Sequence, residues 1–276
     1  PVAGLIILNT DDQCIDIFDG TNWIKNCGMK ITGTDTMPAS WTQKPNFPFT
    51  REDAVSFSIS SKGYMGTGEQ GGTYKKDFWE YDPATNVWTQ KADFGGVARA
   101  DAIGMGFNGY GYIGTGFDGQ YKSDMWEYFP VTNTWSQKTN IVGARADAFC
   151  VVFANLIVVG GGANGFNYLD DIRAYNPLTD TWGSFATMPN PGHSMFAFIA
   201  GGNIYAGGGW VDFGIWGTGL SDFVFRFDGT TWTQAPFFPG GEMHSFVSGS
   251  INGYGIVGAG KPLGASYPTN FWKYDD

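Results

Sequence analysis

Both histidines of the 276-residue chain, His193 and His244, stand in short polar stretches, Gly192-His193-Ser194 and Met243-His244-Ser245. An imidazole titrates near neutral pH and ligates metals readily. A metal would need further Cys, His or carboxylate ligands, and only Glu242 lies beside either histidine. Hydrogen bonding to a ligand is therefore the functional reading, with no metal and no cofactor implied. Upstream, Arg51/Asp53, Arg99/Asp101 and Arg145/Asp147 repeat one Arg-x-Asp-Ala pattern. Alternation along a strand sets Arg and Asp of each pair on one side. There they would either join neighbouring units by ion pairs or form a polar rim for a ligand's hydroxyls or carboxylate. Threefold repetition argues against an acid/base pair, whose two carboxyls need unlike environments. The aromatics Tyr74, Tyr121, Phe166, Trp210 and Trp216, with Tyr168 beside them, lie in glycine-rich connections. Exposed aromatics on variable loops over a rigid scaffold are suited to binding.

The elements that must position these residues are short strands. Glycines number 42 and aromatics make up 17% of residues, a balance that disfavours helix and suits many strands and turns. No window sustains a helical apolar period, so the expected class is all-β. Tryptophans 41, 88, 135, 182 and 232 recur at spacings of 47, 47, 47 and 50 residues. A period of ~40–50 residues signals a propeller array. Each unit opens on the Arg-x-Asp-Ala segment, continues in a strand ending in small residues, then gives a Trp-x-Tyr strand and a Trp-bearing outer strand. Aligning the units sets His193 and His244 in the row of Glu52, Ala100 and Ala146, with Ser194 and Ser245 in place of the aspartates. Strand order puts the connections 69–76, 117–123, 163–170, 210–221 and 261–269 on that same rim. Residues repeated in every unit, such as Trp79, Trp126, Tyr81 and Tyr128, are scaffold.

This pattern resembles the kelch repeat, marked by a glycine pair after the second strand and a spaced Tyr and Trp; Gly160-Gly161 and Gly207-Gly208 keep the pair. The resemblance spans about 41–276 and implies a β-propeller, one four-stranded blade per repeat around a channel. Counting outer tryptophans gives five blades, with residues 1–35 the candidate for a defective sixth. The last unit, ending Asn270-Phe271-Trp272-Lys273-Tyr274, lacks a fourth strand, which Trp41-Thr42-Gln43-Lys44 would complete, closing the ring. Residues 1–35 are expected to be a small accessory β segment and linker, and 36–276 the propeller.

Composition narrows the partners. A formal net charge of −10 with 16 Lys plus Arg disfavours nucleic acid and anionic membrane, and no apolar run is long enough to insert in a bilayer. Any export signal is expected to have been removed or to lie outside this sequence. Cys14 and Cys27 flank a hairpin-like segment and could be bridged, as suits an exported protein; Cys150, in an apolar run, reads as an inert buried thiol. The resemblance to propellers of bacterial surfaces implies a secreted or cell-surface, non-enzymatic module for recognition, adhesion or scaffolding. It would bind a glycan or protein, alone or within a larger surface assembly. The enzymatic alternative is a resemblance to N-acetylneuraminate epimerases (mutarotases), with Arg51, Arg99, Glu242 and His244 as candidates. A galactose-oxidase-like copper site is disfavoured, because no Tyr-His pair adjoins Cys150.

Overall fold

A computed structural model of the chain describes residues 5–9, 14–18, 23–27, 42–165, 167–264, 268 and 270–276; up to Thr42 only backbone pairing is considered. Every larger element is an antiparallel strand, and no helix among the described residues is long and apolar enough to cross a membrane. Sheet 2 comprises Val55–Ile59, Lys62–Gly66, Phe78–Asp82 and Val87–Gln90. Sheet 3 is Ile103–Phe107, Tyr110–Gly114, Met125–Phe129 and Thr134–Lys138. Sheet 4 is Phe149–Phe153, Leu156–Gly160, Asp171–Asn176 and Thr181–Thr187. Sheet 5 is Phe196–Ala200, Asn203–Gly207, Val224–Phe227 and Trp232–Ala235. Sheet 6 has three described strands, Val247–Ile251, Tyr254–Gly258 and Phe271–Tyr274.

The N-terminal residues depart from the sequence expectation. Leu5–Asn9, Cys14–Phe18, Trp23–Cys27 and Thr42–Lys44 pair in that order as sheet 1. Thr42–Lys44 thus lies against Trp23–Cys27, with Trp23 opposite Lys44 and Lys25 opposite Thr42, and not against Phe271–Tyr274. The physical reason is local: Trp23–Cys27 offers an unfilled edge, and an open strand edge pairs with an available neighbour. Trp41 itself lies outside the described residues. The expected break after residue 35 does not divide this sheet, whose strands come from both sides of it. The tryptophan count gives the Trp41 segment to the last unit, whereas Thr42–Lys44 pairs within sheet 1. Register sets Cys14 opposite Cys27; their side chains, and so the suggested bridge, lie outside what is described.

The first strands of the six sheets are neighbours in sequence order, and Leu5–Asn9 touches both Val55–Ile59 and Val247–Ile251. Glycine permits this approach: a Cβ on Gly106 would come 1.8 Å from the carbonyl oxygen of Ser58 in the adjoining sheet. Between sheets the core is aromatic. Tyr64, Phe78, Phe94 and Tyr128 are buried together with Phe57, and Trp126 and Trp135 pack against them. Each outer tryptophan lies over its third-strand ring, Tyr81–Trp88 at 5.2 Å, Tyr128–Trp135 at 4.9 Å and Tyr175–Trp182 at 5.0 Å. Its indole N–H reaches back across the sheet boundary, Trp88 to the Pro45 carbonyl, Trp135 to Ala92 and Trp182 to Thr139. Regularity of the tryptophans is thus regularity of packing.

Candidate functional site

One rim of the sheet array collects the irregular residues. Short bridges tie each entering segment to the connection after the second strand: Glu52 to Glu69, Ala100 to Phe117, Ala146 to Ala163, His193 to Trp210, and His244 to Lys261. The two histidines therefore occupy the row of Glu52, Ala100 and Ala146. One residue further on stand Asp53, Asp101, Asp147, Ser194 and Ser245, with φ of 52°, 54°, 57°, 53° and 56°. Left-handed backbone is uncommon away from glycine and carries strain. Here it is held by a chain of hydrogen bonds running from sheet to sheet. The amide of Asp101 donates to the Asp53 carbonyl at 3.2 Å, Asp147 to Asp101 at 3.1 Å, Ser194 to Asp147 at 2.9 Å, and Ser245 to Ser194 at 3.1 Å. Along this row the Ser194 hydroxyl reaches back to the Asp147 carboxylate of the preceding sheet.

Arg and Asp of each pair have different partners. Arg51, Arg99 and Arg145 are 9%, 0% and 1% exposed and are not ligand groups on the rim surface. Arg51 Nη1 and Nη2 donate to the two carboxylate oxygens of Asp77 at 2.8 Å each, and Nη1 also donates to the Thr67 carbonyl. Arg99 makes the same fork to Asp124, at 2.5 and 2.7 Å, with Nη1 on the Thr115 carbonyl. Arg145 donates to Asp171 at 2.9 Å and to the Gly161 carbonyl. Burial by itself would raise the carboxyls of Asp77, Asp124 and Asp171, but the guanidinium contacts, aided in each case by another side-chain donor, hold all three below the ordinary range. A buried guanidinium must keep its counter-charge. These arginines therefore pin the small-residue end of the second strand to the start of the third. The enzymatic alternative loses its two carboxylate-binding candidates to these ion pairs.

The released aspartates form the most perturbed electrostatic feature of the rim. Asp53 is pushed up to about 6, first by desolvation and then by Asp147, Glu52 and Glu69. Asp101 is pushed up to about 8 by desolvation, then by Asp147 and Asp53. Asp147 is raised by desolvation, against the pull of the Ser194 hydroxyl, which donates to it at 3.1 Å. All three keep contact with solvent, and the Asp147 side chain is 33% exposed. The cluster of Asp53, Asp101 and Asp147 thus holds protons more readily than free carboxyls do and can donate as well as accept. Among the described residues no three His, Cys, Asp or Glu side chains are arranged to hold a metal ion.

The other half of the rim replaces the aspartates with serines and carries the two imidazoles, with Lys261 beside His244. His193 Nδ1 lies 3.0 Å from Ser194 Oγ and 3.8 Å from an Asp147 carboxylate oxygen. Desolvation holds His193 below its ordinary value, so the Asp147 contact is a polar one at neutral pH and not an ion pair. His244, 2.9 Å from Ser245 Oγ, is lowered by desolvation, then by Lys261 and His193. Both imidazoles are backed by aromatic rings: Tyr168 meets His193 edge-on at 4.6 Å, and Trp210 lies 5.9 Å from His244. Tyr74 packs against Phe117 at 6.3 Å, and Tyr121 against the same ring at 5.0 Å. Trp216, in a short 3-10 turn at Gly214–Trp216, is 85% exposed and Ile215 beside it 93%. Phe166 lies outside the described residues. Below, the inner strands enclose a cavity of about 470 Å³ lined by Ser56, Ser58, Met105, Cys150, Ile199 and Ser250 among others. Burial pushes the Cys150 thiol up to about 12, so it is no nucleophile at neutral pH.

Sequence reasoning missed two features here. Tyr74, Tyr121 and Tyr168 repeat at 47-residue spacing and form a series, a signal visible once the loops are aligned. Convergence of the aspartates depends on positive φ, for which Asp carries only a weak preference.

With this geometry in hand, likeness to known proteins can be weighed. Residues 144–189 match the family model described as the Kelch motif. That segment holds Arg145, the Asp147 turn and the whole of sheet 4. A solved structure titled "Structure of YjhT" aligns with a TM-score of 0.80 over 99% of this chain and 95% of that one, at 16% identity. The chain accordingly has an all-β propeller fold like that structure and carries a Kelch motif at residues 144–189. Solved structures that match number 341 chains, so the architecture is widely shared and assigns no activity by itself. Comparison with curated proteins gives no match.

Proposed function

We propose that this protein is a non-enzymatic recognition module of the cell exterior that binds a glycan through the loop-bearing rim. The observation that carries this reading is the alternation around one mouth of aromatic faces with hydrogen-bonding groups: Tyr74, Tyr121, Tyr168 and Trp210 beside Asp53, Asp101, Asp147, Ser194, His193 and His244. Aromatic faces cover the apolar faces of sugar rings, while carboxyls, hydroxyls and neutral imidazoles match hydroxyls as donors and acceptors. The protons held by the aspartate cluster let the acidic side donate as well as accept.

Six sheets act as the blades of the ring in this reading, with Leu5–Lys44 forming one; electron-microscopy class averages with five arms instead of six would contradict it. The extracellular placement rests on the acidic composition and the exposed aromatic rim, and fractionation of the native host tests it.

Glycan-array binding of the intact protein, repeated with Trp210→Ala and Tyr168→Ala, tests the function. Binding that survives both substitutions would remove the rim from the account. Binding of a purified surface protein with no glycan signal would favour a protein partner. Accelerated anomer exchange of a sialic acid, followed by NMR, would return the protein to the enzymatic alternative.

A further inference from the structure

The basic side chains of the rim are largely committed to partners of their own. In Arg51, Arg99 and Arg145 both Nη atoms donate to a carboxylate or a backbone carbonyl. Lys122 Nζ meets Asp118 at 2.8 Å. Desolvation holds the imidazoles of His193 and His244 below their ordinary value, so neither supplies a full positive charge at neutral pH. Lys75 and Lys76 stand in the connection 69–76, yet neither is among the charges that act most on Asp53 or Asp101. Lys261 does act on Asp53, but its pull ranks below the push of Asp147, Glu52 and Glu69.

Negative charge, in contrast, is crowded there. Glu52, Glu69 and Asp147 all bear on both Asp53 and Asp101, and the aspartates hold protons because so many carboxyls share one partly desolvated mouth. The aromatic positions lie within this field. Desolvation, then Glu69, Asp101 and Asp118, raise the Tyr74 hydroxyl, which places that ring among the carboxyls. A sugar laid on Tyr74 would therefore set its substituents against them. Hydroxyls at that point can donate to a carboxylate or accept from a protonated one. A carboxylate or sulfate would meet like charge and would lose its hydration without a counter-charge to replace it.

We propose that the rim selects glycans free of acidic groups, and that Asp53, Asp101 and Asp147, with Glu52 and Glu69, set this selectivity by rejecting carboxylated and sulfated sugars. The inference rests on the reading of the rim as a glycan site and names the class of glycan it takes. Discrimination of this kind comes from a repulsive element as much as from attraction. It also separates the rim from a sialic acid site, because the arginines that could have received a carboxylate face Asp77, Asp124 and Asp171 instead. Asparagine accepts the left-handed backbone that these aspartates adopt, so the charge can be removed with the turn kept.

A glycan array printed as matched pairs, probed with the intact chain, tests this. Cellohexaose stands beside its C6-carboxylate, lacto-N-tetraose beside its sialylated form, and galactan oligomers beside their 6-sulfates. Acidic members should bind at least about ten-fold more weakly than their neutral partners at about 0.01 M salt, where like charges repel over a Debye length of about 30 Å. At about 1 M salt, with a Debye length of about 3 Å, most of that gap should close. Asp53→Asn/Asp101→Asn/Asp147→Asn should narrow the gap at low salt. Glu52→Gln/Glu69→Gln should narrow it by a smaller factor, and it supplies the comparison should the triple variant not fold. Acidic members that bind as tightly as their neutral partners, or a gap that neither salt nor these variants alter, would overturn the inference and leave the rim a glycan site. A blank array would remove the glycan reading itself, and this inference with it.

Discussion

Replacing Asp101 with Asn should make the protein more resistant to unfolding at alkaline pH. Its carboxyl titrates near 8 in the folded protein, against ~3.9 in an unfolded chain. The folded state therefore binds more protons than the unfolded state between those values. Stability contributed through this group is fully present below about pH 4, declines as pH rises and is lost above about pH 8. The full interval would correspond to about 5 kcal/mol. Because the three carboxylates touch channel water and share their repulsion, about 1–2 kcal/mol is the expected effect. Urea unfolding of the native protein and of Asp101→Asn at pH 5 and pH 9 measures it. Asp93→Asn, exposed and remote from the trio, controls for net charge. Relative to the native protein, Asp101→Asn should gain about 1–2 kcal/mol between pH 5 and pH 9 and Asp93→Asn much less. An equal gain in both variants, or no pH dependence in either, would refute the assignment of a shared acidic cluster.

Three further outcomes follow from the same geometry. Arg99→Ala should destabilise by about 3–5 kcal/mol in chemical unfolding, since it strands the partly buried Asp124 and the Thr115 carbonyl; Arg99→Lys should recover little of this, lacking the fork. Gly106→Ala should cost about 1–3 kcal/mol, because its methyl meets the Ser58 carbonyl across the sheet boundary. Trp216→Ala should leave the unfolding midpoint within about 0.5 kcal/mol of native, as befits an exposed residue, while weakening ligand binding in the array assay.

Much of the scaffold was readable because the tryptophan period reflects packing: the indoles of Trp88, Trp135 and Trp182 each reach their own tyrosine and the preceding connection's carbonyl, while Trp232, which lies over Phe227, stands at the longer spacing of 50. The equivalence of His193 and His244 with Glu52, Ala100 and Ala146 was readable for the same reason. The arginines were less legible, because alternation alone sets Arg and Asp of each pair on one side of a strand. Positive φ at the aspartate instead separates the two, and the true partners Asp77, Asp124 and Asp171 lie 25 or 26 residues on. Sheet 1 was less legible because the repeat assigns Trp41-Thr42-Gln43-Lys44 equally well to the last unit, and only strand pairing places Thr42–Lys44 beside Trp23–Cys27.

The rim's role as the binding surface is tested most directly by mapping amide hydrogen exchange of the intact protein with and without a glycan selected on the array. The account predicts protection confined to the segments around Asp53, Tyr74, Asp101, Tyr121, Asp147, Tyr168, His193–Ser194, Trp210 and His244–Ser245, and lost in Trp210→Ala. Protection at the opposite rim or along the outer strands, with these segments unchanged, would contradict it.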